Sequence, residues 1–206
     1  MSTPSREAPI DPAHAAFLII DVQNHCAGPA VGKTEYFRQS VHDTVLPNIR
    51  RLQLACRQAG IEVLYSVIEN LTRDGRDRSL DYKISGIDVP CGSWEAQVVA
   101  EIAPADDEMI FRKTSSNVFI STNVDYVLRN LGSRSLIIAG IMTDQCVESA
   151  VRDACDLGYL VTLVTDACTT SSAERHEQSL IGIRGYCRQR TTHAVVAEIA
   201  AVTGSS

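Results

Sequence analysis

Five short, largely apolar runs recur along this chain, and a stretch with helical spacing follows each of them. The runs are Ala16–Ile20 (AFLII), Ile61–Val67 (IEVLYSV), Met109–Arg112 (MIFR), Leu136–Ala139 (LIIA) and Tyr159–Val164 (YLVTLV). Continuous runs of this kind, without strict polar alternation, fit strands covered on both faces. The segments between them carry a longer period. Val41–Ala59 places apolar residues at 41, 45, 49, 52 and 55 and meets Gly60, a residue suited to the left-handed position after a helix. Trp94–Ile102 predicts a short helix, Asn123–Leu131 a helix closed by Gly132, and Thr143–Leu157 and Ala173–Gly182 two more; Thr191–Ala201 is read as a last strand and helix. The polar stretch from Asn70 to Gly86 is too long for a simple connection, and such loops in compact domains are often functional. Strands alternating with helices predict βαβ units, hence an α/β fold of three layers, α/β/α, around a central, mostly parallel sheet. A length of 206 residues fits one domain over 1–206, with residues 1–13 as a flexible N-terminal segment.

Composition closes off several function classes. Lys and Arg number 19 against 25 Asp and Glu, so the net charge is −6 and no basic excess exists to neutralise nucleic-acid phosphates. The pairs Arg50-Arg51 and Arg188/Arg190 are short and read as solvated. No apolar run approaches the roughly 18 residues that span a bilayer, so no membrane partner is expected. The start, MSTPSREAPIDPAHAA, shows no apolar segment of the secretory kind. Seven cysteines, at 26, 56, 91, 146, 155, 168 and 187, are odd in number and form no CxxC pair. That argues against a disulfide framework or a zinc ribbon. It favours a reducing cytoplasm, with most of the thiols acting as small buried hydrophobes.

In parallel sheets ligands bind beyond the carboxyl ends of the strands. Three reactive groups fall there: Asp21 after the first run, Lys113 after the third and Cys146 just after the fourth. SLIIAGIMTDQCVESAVRDACDLGY, from Ser135, puts Cys146 in the first turn of a Thr-initiated amphipathic helix, near the positive end of the macrodipole, where a thiolate is favoured. A cysteine attacks a carbonyl as its thiolate, an aspartate can take the thiol proton and return it to a leaving amine, and a lysine steadies both by charge. The turn from Gly140 to Cys146 offers backbone N–H groups to an oxyanion. Such a set needs no histidine, and none occurs between His42 and His176. Each group alone has a plainer explanation: a cysteine in an amphipathic helix more often packs, an aspartate at a strand end caps a turn, and a lysine is solvated. Their joint placement at three strand ends is what points to catalysis.

These residues carry a resemblance. FLIIDVQN around Asp21, FRKTSSNVFISTNVDYVLRNLG around Lys113 and GIMTDQCVESAVRDACDLGY around Cys146, with the trailing VTLVTDAC, resemble the ordered motifs of the isochorismatase-like cysteine hydrolases over residues 14–200. The resemblance implies their Rossmann-like fold, with Asp21 as general base and acid, Lys113 as positioning cation and Cys146 as nucleophile. It also implies a cis peptide at Ile141–Met142, an oxyanion hole from the Met142 and Cys146 amides, no cofactor, and a homo-oligomer, a dimer or tetramer. Nicotinamidases of the family bind a metal through an aspartate and histidines after the second strand. Here that loop holds Asp74, Asp77 and Asp81 but no histidine, so no metal site is expected. Isochorismatases that cleave a vinyl ether need the aspartate but can lack the cysteine, so Cys146 favours hydrolysis of a C–N bond.

Closeness to the motifs nominates Gln23, Asn24, Glu69, Asn117, Phe119 and Gln145 as substrate-binding residues, each with a capping or loop role as the alternative. Tyr82 and Trp94 either wall the pocket or pack. DYKISGIDVPCGSWEA is similar to the loop of members acting on ureidoacrylate, biuret and N-carbamoyl amino acids. The partner expected is therefore a small amide or ureido molecule. Two rival readings stand beside it: an isochorismatase-type vinyl-ether hydrolase, and a catalytically silent binding protein of the same fold.

Overall fold

The computed structural model describes residues 5–28 and 34–204, and among them six strands form one sheet. They are β1 (Ala15–Ile20), β2 (Glu62–Ile68), β3 (Met109–Lys113), β4 (Ser135–Ile141), β5 (Leu160–Thr169) and β6 (Arg188–Arg190). The order is β3-β2-β1-β4-β5-β6 and every neighbouring pair is parallel. The expected sheet is thus present and parallel throughout. Every residue of β1 is buried, which is why its sequence lacks alternation.

The helices are α1 (Asn24–Ala27), α2 (Glu35–Ser40), α3 (Leu46–Gln58), α4 (Leu80–Ile84), α5 (Val118–Ser121), α6 (Val124–Asn130), α7 (Glu148–Asp156), α8 (Ala173–Ile183) and α9 (Thr192–Thr203). The chain builds the sheet outward from β1 in one direction, then returns to β4 and builds in the other. Right-handed crossovers therefore place α3 and α7 on opposite faces, and α9 packs against α3. The gap between β1 and β4 is the point where the strand order reverses, the place where such sheets bind ligands.

Local chemistry explains most boundaries. The Thr34 hydroxyl accepts the Phe37 N–H at the start of α2, and a π-helical turn at Val41–Val45 runs on into α3. The helix expected from Val41 thus begins earlier. Leu46, Ile49, Leu52 and Cys56 bury one stripe of α3, and Gly60 follows it at φ +69.

Several expectations are corrected. Trp94–Ile102 is not a helix but two single 3₁₀ turns, Trp94–Ala96 and Ala100–Ile102. Between them the backbone bonds across the chain instead of along it: Asn24 N–H donates to Gln97 O, Val99 N–H to Val22 O, and Gln23 bridges to Val98. The last strand precedes residue 191. Its three residues, Arg-Gln-Arg, carry no apolar signal and are held by pairing with β5. Arg188 is buried rather than solvated, donating to Thr162 Oγ1 at 3.0 Å and pairing with Glu198 at 3.1 Å. Of the N-terminal segment 1–13, residues 1–4 lie outside the described residues. Beyond them Ile10 is buried and its N–H donates to Glu198 Oε1 at 2.6 Å.

Gly140 of β4 is paired with Ile20 of β1. Its φ is +131, and a Cβ there would lie 2.2 Å from the Ile20 carbonyl oxygen, a backbone atom with no rotamer to yield. Gly140→Ala is expected to destabilise by about 3 kcal/mol through this clash and the forced φ. An unchanged urea-unfolding midpoint would refute the argument.

Candidate active site

Three strand ends meet at the reversal point. Asp21 follows β1 directly, at φ +55, with its N–H bonded to Ser66 O at 3.0 Å. The Ser66 hydroxyl donates to Asp21 Oδ1 at 2.8 Å. Lys113 ends β3, two strands away, and its four-carbon stem crosses β2 to put Nζ 2.9 Å from Asp21 Oδ2. Both side chains are sealed from solvent, at 0% and 1% exposure. Cys146 lies in a π-helical turn, Thr143–Val147, between β4 and α7, with Sγ 3.5 Å from Lys113 Nζ. The Ile141–Met142 peptide just before the turn is cis.

The cysteine turn is anchored from α8. Thr143 Oγ1 lies 2.8 Å from His176 Nδ1, the Ser179 hydroxyl donates to Thr143 O at 3.2 Å, and Arg175 Nε donates to Asp144 Oδ2 at 2.7 Å. Thr170 also donates to Asp144. Burial holds the His176 imidazole below its ordinary value of 6.5. The unfolded chain therefore takes up a proton, as pH falls through about 6.5, before the folded one does, and stability is lost in that direction. The urea midpoint is expected to fall between pH 7 and 5.5, and to fall less in His176→Gln; equal slopes would refute this.

Electrostatics qualify the reading of Cys146. Burial pushes its thiol up to about 12, Asp21 adds to the rise, and Lys113 opposes it. The thiolate expected from the helix start is opposed by burial, the largest cause of the upward shift. For Lys113, burial alone would lower the pKa, but Asp21, Cys146 and Tyr82 beside it turn the net shift upward. The resting cluster of carboxylate, ammonium and thiol has zero net charge. Losing the thiol proton to water would leave a buried negative charge, whereas moving it to Asp21 keeps the total at zero. Among the described residues, Asp21 Oδ2 accepts no hydrogen bond beyond its ion pair, so a lone pair is open for that proton.

A cavity of about 580 Å³ opens beside the cysteine turn, walled by Met142, Gln145, Ser116, Ser149, Asp81 and Arg175. Of the six nominated contacts, Gln145 lines it and the others are held elsewhere. The Gln23 amide is fully buried, donating to Ile68 O and Glu95 O and accepting from Ile68 N–H. Asn24 donates to Trp94 O. Glu69 accepts from Gly92 N–H and pairs with Arg112. Asn117 caps α5 and donates to Ser149 O, and the Phe119 ring lies 6.2 Å from that of Tyr159. Two of the loop aspartates have partners: Asp77 accepts from Leu71 and Thr72, and Asp74 pairs with Arg76. Among the described residues no cluster of three or more His, Cys, Asp or Glu is placed to hold a metal ion. Tyr82, expected either to wall the pocket or to pack, is buried with its hydroxyl 2.9 Å from Lys113 Nζ; site residues that sequence reasoning did not place are Ser66 and the Ser115 carbonyl.

A family model for the isochorismatase domain matches residues 15–195. Ureidoacrylate amidohydrolase RutB of Agrobacterium fabrum is 30% identical over 190 residues, covering 81% of this chain and 82% of its own. RutB of Rhizobium rhizogenes is 29% identical over 187 residues, covering 81% and 76%. Among solved structures, a cysteine hydrolase from Pseudomonas syringae pv. phaseolicola superimposes with a TM-score of 0.85 at 24% identity, over 98% of this chain and 99% of that one. At that identity the shared property is the fold.

Proposed function

Because this chain belongs to the isochorismatase-like cysteine hydrolase family, we propose that it is an amidohydrolase cleaving a C–N bond of a small linear amide or ureido compound through Cys146, Asp21 and Lys113. The observation that carries this reading is the buried, charge-neutral contact of Cys146 with the Asp21–Lys113 pair at the strand-order reversal.

The reaction begins when substrate enters beside Met142 and Gln145. The Cys146 proton passes to Asp21 Oδ2, and the sulfur electron pair forms the bond to the carboxamide or carbamoyl carbon. The carbonyl π pair moves onto oxygen, where the Met142 and Cys146 amides stabilise it. As the C–N bond breaks, Asp21 returns the proton to the departing nitrogen, and ammonia or an amine leaves a thioester on Cys146. Water, giving a proton to Asp21, then attacks the thioester and restores the thiol. Lys113 pairs with Asp21 and holds its carboxyl group in place throughout, and no metal or cofactor enters the scheme.

The relatives act on ureidoacrylate, as their names state, and ureido compounds are the substrates to try first. The test is an ammonia-release screen over ureidoacrylate, biuret and N-carbamoyl amino acids, with pyruvate release from isochorismate as the comparison. Turnover of at least one ureido compound is expected. Pyruvate release without ammonia from any of them would move the assignment to a vinyl-ether hydrolase.

A further inference from the structure

Tyr82, in α4, is a further polar side chain buried beside Asp21, Lys113 and Cys146, at 1% exposure. Ser79 caps α4 by accepting the Tyr82 N–H, and the Ser79 N–H donates to Thr114 O. The helix that carries the phenol is thus tied to the residue following Lys113.

Counting donors shows what the phenol can do. The Lys113 ammonium has three protons and four acceptors around it: Ser115 O at 2.8 Å, Tyr82 Oη at 2.9 Å, Asp21 Oδ2 at 2.9 Å and Cys146 Sγ at 3.5 Å. The sulfur is the farthest of the four. The Tyr82 oxygen accepts from Lys113, so its own proton points elsewhere, and among the described residues Cys146 Sγ, 4.0 Å away, is the other polar atom in contact with it. We propose that Tyr82 donates a hydrogen bond to Cys146 Sγ as the thiol proton moves to Asp21, and so stabilises the buried thiolate.

The inference rests on Cys146 being the nucleophile. In the step, the S–H bond breaks, an O–H bond forms on Asp21, and the phenol keeps its proton. The Lys113 hydrogen bond polarises the phenol and strengthens its donation, as in other charge-assisted chains. Burial raises the Tyr82 pKa, so the phenol stays protonated and able to donate. The contact is long in the resting site and shortens as charge gathers on sulfur.

The test uses Tyr82→Phe and iodoacetamide, with capture of Cys146 read on its own peptide by mass spectrometry between pH 8 and 10. In that range the rate follows the small thiolate fraction. Hydrogen bonds to charged groups of this kind are worth about 10- to 100-fold, and capture is expected to slow by that factor at every pH. In ureidoacrylate hydrolysis kcat should fall similarly while KM stays within about threefold. A capture rate equal to wild type overturns the proposal, whatever happens to stability. If Tyr82→Phe does not fold, 3-fluorotyrosine placed at 82 supplies a more acidic phenol and a stronger donor. Faster capture then supports the role, and unchanged or slower capture overturns it. If wild type hydrolyses no ureido compound, the substrate reading fails while the capture comparison still decides the role of Tyr82.

Discussion

Cys146→Ala and Cys146→Ser are expected to lower kcat/KM for C–N hydrolysis by on the order of 10⁴-fold or more, since no second group can form the acyl intermediate. Serine keeps the volume but not the chemistry: its hydroxyl is a far weaker acid than the thiol and gives up its proton far less readily. The fold should barely change. Cys146 is 6% exposed, sits in a turn held from α8 by bonds that do not involve its sulfur, and is burdened by burial whenever it ionises. The urea midpoint of either variant should stay close to wild type, with the lost methylene-sized volume costing at most about 1.5 kcal/mol. Ammonia release at the wild-type rate by the alanine variant would sink covalent catalysis. If it released pyruvate from isochorismate, the vinyl-ether reading would gain directly, because that chemistry needs the aspartate alone.

The legible part of this molecule is the part where one residue's chemistry matches one backbone position. Ala15–Ile20 is buried on both faces, so its uninterrupted apolar run could be recognised without a structure. Gly60 and Gly140 sit where only glycine is comfortable. Asp21, Lys113 and Cys146 stood out because each follows or ends an apolar run, and the 3-2-1-4-5-6 strand order then converges their side chains. The illegible part depends on contacts between segments distant in sequence. Closeness to the Asp21 motif nominates Gln23 for the pocket, but its amide hydrogen-bonds to residues 68 and 95, far away in sequence. β6 exists because β5 offers it a ladder, and its own Arg-Gln-Arg has no strand signature. The thiol's raised pKa is also a tertiary property. A helix start predicts a thiolate, and only the burial of the site, with a carboxylate already beside the lysine, reverses the direction.

That same burial predicts the largest effects on stability. Asp21→Asn should leave the Lys113 ammonium at 0% exposure without a counter-charge, and breaking a buried ion pair from one side costs about 3–5 kcal/mol. Lys113→Met strands the Asp21 carboxylate in the same way and should cost a similar amount. The double variant Asp21→Asn/Lys113→Met removes both charges and leaves a nearly isosteric neutral pair. It should recover to within about 1 kcal/mol of wild type, because replacing a buried pair by uncharged groups is often close to neutral. Urea unfolding of the four proteins at pH 7.5 closes the thermodynamic cycle, and a strong favourable coupling between the two sites is the expected result. Single-variant losses that simply add in the double would mean the pair is not the isolated, desolvated unit described. Activity should follow a different rule. All three variants should lack ammonia release, since the double variant regains packing but has neither the base that takes the thiol proton nor the cation that holds that base. Stability restored without activity would separate the two consequences of one ion pair: holding the strand ends together, and fixing a carboxylate beside the thiol.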